Sequence, residues 1–251
     1  MKQKKTDKSF LSTEKLVQNT YSQEAKKILN KGYRTTWWYI ANKALSDWDL
    51  LSQIEIKDKE VLNIGCFEPI DELFFARLVK SWTAIDINQE GIKVAKEITD
   101  RELHPNLARK IKFLVADATK LPFSNEKFDI AVSFSAVEHI PDKKKREEAI
   151  GEMARVVKKG GYVVVTVPNK LSFFAIVHKR LMKAGISEYG YAHLYSKKEL
   201  KEELLNVGLK PIYFASEMRI VSSTPFFLLR IISRFMQNFG DRIGFLAQKI
   251  N

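Results

Sequence analysis

A glycine and an acid mark the place where this chain could hold a nucleotide. Gly65 follows the apolar run Val61, Leu62 and Ile64, and Asp86 sits in a second run with Ala84, Ile85 and Ile87, 21 residues later. Glycine at a strand end lets backbone come close to a ligand with no Cβ in the way. An acid ending the next strand can accept hydrogen bonds from two ribose hydroxyls, and this separation suits that geometry. Asp117-Ala118 ends a third apolar run in the same manner.

Such residues need a scaffold, and the hydrophobic pattern supplies one. Leu73, Phe74, Ala76, Leu78 and Val79 make a helical face between the first two runs. Runs that are apolar on both faces belong in a parallel sheet covered by helices on each side. Ligands in such folds sit over the carboxyl edge of the sheet. Further on, Ile111–Ala116 and Phe128–Phe134 read as the third and fourth strands, with a helix between residues 88 and 102. Pro141 can start the next helix at its first position. Lys158-Lys159-Gly160-Gly161 turns into a fifth strand, Tyr162–Val167. Ser196 caps a helix over Lys197–Asn206, Gly208 stops it, and the strands 209–215 and 244–250 follow.

At 251 residues and 45% hydrophobic, the chain can bury a full core. A single cysteine, Cys66, excludes an internal disulfide. With four histidines it offers no metal-ligand cluster, so no metal is expected. A net charge of +12 suits an anionic partner or simply a soluble surface. No window reaches ~18 apolar residues, the length a membrane span needs. Polar sequence follows the basic start, so no signal peptide and a cytoplasmic location are expected. The organisation reads as a disordered basic tail (1–9), an N-terminal helical cap (10–55) and a Rossmann-like domain (56–251), with helical insertions at about 171–195 and 219–242. The cap contains Tyr33, Trp37 and Trp38, which pack it together, or else Tyr33 or Trp38 closes over the cofactor or substrate.

The assembled motifs resemble the class I S-adenosylmethionine-dependent methyltransferases over roughly residues 60–208. The carrying pieces are Val61-Leu62-Asn63-Ile64-Gly65-Cys66, Ala84-Ile85-Asp86-Ile87, Asp117-Ala118 with Leu121-Pro122-Phe123, Phe128-Asp129, Glu138-His139-Ile140-Pro141 and Glu152 to Gly161. The resemblance implies a doubly wound, seven-stranded, mostly parallel sheet with an antiparallel last strand. It also implies S-adenosylmethionine as methyl donor and S-adenosylhomocysteine as product. By position, Asp86 would hold the ribose, Ile87 would pack on adenine, and Asp117 with the Ala118 amide would receive the adenine amino group. Ser133 or Ser135 would line the sulfonium. Asp117 capping a turn is the plainer alternative.

The first loop departs from the family's pattern: Asn63 stands where an acid is usual, and Phe67 and Pro69 where glycines are. Phe67 adds bulk, and Pro69 removes an amide donor. Glu68, Asp71 or Glu72 could restore the missing charge, and Glu68 is the expected partner of the cofactor's ammonium; Asp71 could instead cap the helix. Cys66, Phe67 and Asn63 are counted with the cofactor loop. Methyl transfer needs positioning and exclusion of water, and a base only when the acceptor loses a proton. His139 and, second, His193 are the candidate bases, with a structural hydrogen bond as the alternative for His139. Tyr33, Trp38, Asn169, Tyr191 and Tyr195 are the expected substrate-lining residues. The stretches 171–184 and 224–239 mix Phe, Leu and Ile with Lys and Arg, as helices lying on an anionic membrane do; a covering or dimer role fits equally. A small, lipophilic acceptor leads the expectations, an RNA acceptor follows, and a catalytically silent binding module is the rival from another class.

Overall fold

The computed structural model describes residues 13, 15, 17–23, 37–172, 175, 191–217 and 238–250, with backbone alone at 37–42. Tyr33, the side chain of Trp38 and nearly all of both apolar-and-basic stretches lie outside that set.

Helix α1 (Trp37–Leu51) precedes strand β1 (Glu60–Ile64), helix α2 (Ile70–Phe75), strand β2 (Ser81–Asp86) and helix α3 (Gln89–Glu102). A short helix α4 (Pro105–Ala108), β3 (Ile111–Val115), β4 (Phe128–Phe134), α5 (Lys143–Val156) and β5 (Val157–Pro168) follow. Helix α6 (Lys197–Asn206), β6 (Leu209–Glu217) and β7 (Arg242–Lys249) complete the described elements. The seven strands lie in the order β3-β2-β1-β4-β5-β7-β6. β1 to β5 run parallel, whereas β7 runs antiparallel to both β5 and β6. Pro211 cannot donate to a ladder, and it sits on the edge strand β6 next to a register irregularity.

Alternation along the strands feeds two cores, one on each face. Leu62 and Ile64 of β1 and Val163 and Val165 of β5 pack with Ile150 and Met153 of α5 and Leu200 and Leu204 of α6. Val61 and Val164 face the other way, against Ala44, Leu50 and Leu51 of α1 and Phe75 of α2. Helix α1 thus covers a sheet face, because Ala44, Leu50 and Leu51 form an apolar stripe that only a core can bury. Of the expected two-helix cap, helical residues 17–23 line the ligand edge, whereas no described side chain of α1 does.

Local caps set the helix starts. Asp142, not Pro141, opens α5: its Oδ1 accepts from the Lys145 amide at 3.0 Å. Ser196 and Glu199 form a capping box on α6, and Gly208 follows that helix with φ +80°. β5 begins five residues before the expected Tyr162, since Val157 already pairs with Phe128.

β1 lies between β2 and β4, so the loops leaving β1 and β4 diverge and open a crevice at the carboxyl edge. Gly65 (φ +78°) begins the first of these loops. A Cβ there would sit 2.2 Å from the Cβ of Ala136, so only glycine lets the two loops meet. Under the crevice lies a buried charge network. Lys43 Nζ binds Asp47 at 2.9 Å and both oxygens of Asp71 at 2.9 and 2.8 Å, while Arg242 pairs with Asp47 and Glu217. Burial acts to lower the Lys43 pKa, but Asp47 and Asp71 outweigh it and raise it.

Candidate active site

A cavity of about 230 Å³ opens at this edge, walled by the loops after β1, β2, β3 and β4 and roofed by Val17, Gln18 and Tyr21. Gly65, Phe67, Asp86, Ile87, Asp117, Ala118, Ser135 and His139 all reach it, so the structure brings together these eight of the sequence-predicted residues.

Asp86 is anchored by backbone. Its Oδ2 accepts from the Phe67 amide at 3.1 Å and its Oδ1 from the Asn88 amide at 2.8 Å. Burial raises its pKa, while the amides of Asn88, Phe67 and Ile87 pull the other way. The result is a fixed acid with a defined orientation toward the cavity, as a sugar-binding carboxylate requires. Asp117 Oδ1 accepts from the Thr119 amide and hydroxyl, both at 2.8 Å, so this acid does turn the chain after β3 while lining the cavity. Ile87, 51% exposed, offers an apolar surface beside them.

On the opposite wall, Ser135 adopts φ +58°, a left-handed conformation costly for a residue with a Cβ. Its Oγ is buried with no hydrogen-bond partner among the described residues, which leaves a polar atom for a bound ligand to satisfy. His139 is held at both nitrogens: Nδ1 lies 2.8 Å from the Tyr191 carbonyl oxygen, and Nε2 lies 2.7 Å from Tyr21 Oη. Tyr21 also meets Phe67 edge-on, with ring centroids 5.0 Å apart. Phe67 therefore roofs the site instead of blocking it, and its ring packs over Gly91, where a Cβ would come within 2.9 Å.

Other expected residues lie elsewhere, for physical reasons. Asn63 is buried and donates from Nδ2 to Glu72 Oε1 at 2.7 Å, beneath the loop. Cys66 is buried and outside the cavity, and burial raises its thiol pKa well above the ordinary value. Ser133 is fully buried within β4, and Glu68 does not reach the cavity wall. His193 pairs through Nε2 with Glu199 at 2.7 Å, and burial lowers its pKa despite that carboxylate. Tyr195 is fully buried and donates to Glu203 at 3.1 Å; burial, then Glu203, raises its pKa. Asn169 donates to the carbonyls of Asn238 and Gly240 at 2.9 and 2.7 Å, tying β5 to the start of β7. Tyr191 contributes its carbonyl to His139 and lies outside the lining. Asp71 makes no cap hydrogen bond, because Lys43 takes its carboxylate.

Polar cavity residues that sequence reasoning missed include Tyr21, Asn88 and Lys145. Asn88 did carry a signal: an Asn before a helical run is a favoured cap, and its Oδ1 accepts from the amides of Glu90 and Gly91 at 3.0 and 3.1 Å.

Residues 62–165 match the model of a methyltransferase domain. Over its length the chain resembles an uncharacterized protein of Methanocaldococcus jannaschii, 27% identical across 94% of this chain and 92% of the relative. A phthiotriol/phenolphthiotriol dimycocerosates methyltransferase of Mycobacterium tuberculosis is 31% identical across 44% of this chain and only 38% of that protein. Among solved structures, a SAM-dependent methyltransferase of Thermotoga maritima superposes with a TM-score of 0.66 at 16% identity, covering 93% of this chain and 99% of the other. That likeness concerns the fold, whereas the domain match spans β1 to β5 and hence most of the walls of the cavity. Residues 62–165 thus form a methyltransferase domain, carried on the seven-stranded, Rossmann-like fold of the class I S-adenosylmethionine-dependent methyltransferases.

Proposed function

We propose that this chain methylates a small, lipophilic acceptor, with S-adenosylmethionine bound along the wall that carries Asp86 and Asp117. The observation behind this reading is the single cavity wall on which a backbone-anchored acid, a second acid and an exposed Ile87 stand together. Asp86 is the ribose partner, Asp117 and the Ala118 amide the adenine partners, and Ile87 the apolar face under the base. Ser135, with its unpartnered buried Oγ, faces the reacting end. Glu68 remains the proposed partner of the ammonium from outside the described lining, with Gly65 leaving room for the backbone to approach. When bound, S-adenosylmethionine supplies a methyl group activated by a positively charged sulfur. The protein's own part is to orient, exclude water and, where required, take a proton.

The acceptor class follows from the rest of the lining. Val17, Ile64, Phe67, Val137 and Ile140 give the cavity an apolar character suited to a greasy molecule. The proposed membrane contact rests on the stretches 171–184 and 224–239, nearly all of which lie outside the described residues.

Calorimetry with S-adenosylmethionine and S-adenosylhomocysteine tests the donor half. The native chain is expected to bind both saturably, and Asp86→Ala to weaken each by more than about tenfold, near the ~1.4 kcal/mol that tenfold represents. Incubating cell extract with labelled methyl donor and separating lipid, RNA and small-molecule fractions tests the acceptor half. Label in the RNA fraction alone would overturn the lipophilic reading. Donor binding without label in any fraction would favour a silent binding module.

A further inference from the structure

The contact between Tyr21 and His139 joins the roof to the wall after β4, and its polarity can be assigned. Tyr191 offers His139 a carbonyl oxygen, which only accepts, so Nδ1 must carry the ring's proton. In the neutral ring Nε2 is then an acceptor, and the Tyr21 hydroxyl 2.7 Å away is its donor. Both side chains line the cavity that holds Asp86 and Asp117. The Tyr21 ring stands edge-on to Phe67 and to His139 (5.2 Å, 74°), which fixes its direction. A residue that merely packed the roof would not need a hydroxyl aimed at a polarised imidazole.

We propose that Tyr21 and His139 act as one proton-accepting pair, and that the acceptor of the methyl group is accordingly a hydroxyl or a protonated amine on an apolar body. This rests on the methyl-transfer reading above. For a hydroxyl, an oxygen lone pair bonds to the methyl carbon as the carbon–sulfur bond breaks and its electron pair stays on sulfur. A protonated amine first gives up an N–H proton by the route that follows, and the lone pair so freed on nitrogen makes the same displacement. The acceptor's proton passes to Tyr21 Oη while Tyr21's own proton passes to His139 Nε2. The imidazolium then donates from both nitrogens, to Tyr21 Oη and to the Tyr191 carbonyl, and a buffer base removes the proton once product has left. Among the described residues, the charged groups that share the cavity with the ring are Asp86 and Asp117 on its wall and Lys145 of α5, and Glu138 is next in the chain.

The test compares the native chain with Tyr21→Phe and His139→Asn, using three readouts. Calorimetry with S-adenosylhomocysteine should show all three binding within about threefold; failure of the native chain to bind would sink the underlying methyltransferase reading instead. Initial rates of label transfer from S-adenosylmethionine into whole extract should fall about 100-fold in either variant, within the range general-base catalysis supplies. The native rate should decline with slope one on the acid side, and His139→Asn should lose that limb. Nitrogen-15 NMR of histidine-labelled protein should show His139 as the Nδ1–H form, with its Nε2 signal shifted in Tyr21→Phe. An Nε2 signal unmoved by that change, or a Tyr21→Phe variant with native rate, would overturn the pair, whether or not the acceptor is known.

Discussion

Burial, reinforced by neighbouring Asp71, raises the Glu72 carboxyl to about 7. Its Oε1 accepts from Asn63 Nδ2 at 2.7 Å and from Trp82 Nε1 at 2.9 Å, so the acid pins β1 and β2 from below the cofactor loop. An acid whose folded pKa is raised binds its proton more tightly when folded. Its contribution to stability is therefore complete below the unfolded value of 4.5 and declines as pH rises through about 7. Glu72→Gln keeps an oxygen for both donors and removes the titration. Urea unfolding should find the variant more stable than the native chain at pH 8, by up to about 3 kcal/mol, with the difference gone at pH 4. At this scale Gly65 and Asp86 were legible because a strand end and a spacing mark them. The pairing of Asn63 with Glu72 was not, since nothing local distinguishes an acid that faces the ligand from one that faces the core.

Helical residues 17–23 and the start of α3 meet beside that site, joined through one side chain. Asn88 caps α3 with Oδ1 while its Nδ2 donates to Ser22 Oγ at 3.1 Å and to the Gln18 carbonyl at 3.4 Å. Its amide in turn binds Asp86. Asn88→Ala should cost about 1 kcal/mol of stability through the lost cap. It should also speed dissociation of S-adenosylhomocysteine, measured by stopped-flow fluorescence, whereas Ser22→Ala should speed dissociation with little loss of stability. Gly65→Ala combines a positive φ with a collision against Ala136, and should destabilise by about 2–4 kcal/mol in thermal or urea unfolding. Strands and capped helices were legible from alternation and from Ser196, Glu199 and Gly208. The roof was not, because Tyr21 meets His139 across 118 residues and neither position announces the other. The same limit explains α1, whose apolar stripe signalled burial but not which surface would bury it.

Across the whole molecule, α1 and β7 are locked by the buried ions Lys43, Asp47, Asp71 and Arg242. Removing one partner strands the others without water, so Asp47→Ala should lower stability by about 3–5 kcal/mol in urea unfolding. Asp47→Asn should cost less by keeping part of the hydrogen bonding. These partners were invisible in the sequence, where Asp47 and Arg242 stand 195 residues apart. The doubly wound architecture was visible, because the central parallel strands, β1 and β4 above all, are buried on both faces and leave a continuous hydrophobic record.

The position of β7 has a consequence for assembly. It comes later in the chain than every strand of the sheet, yet it occupies an interior slot between β5 and β6. During synthesis β6 can find no neighbour until β7 emerges, so the nascent sheet must wait with an open flank and then be completed from within. Arg242, at the first residue of that strand, engages the carboxylates of Asp47 and Glu217, so the charge network closes only as the sheet does.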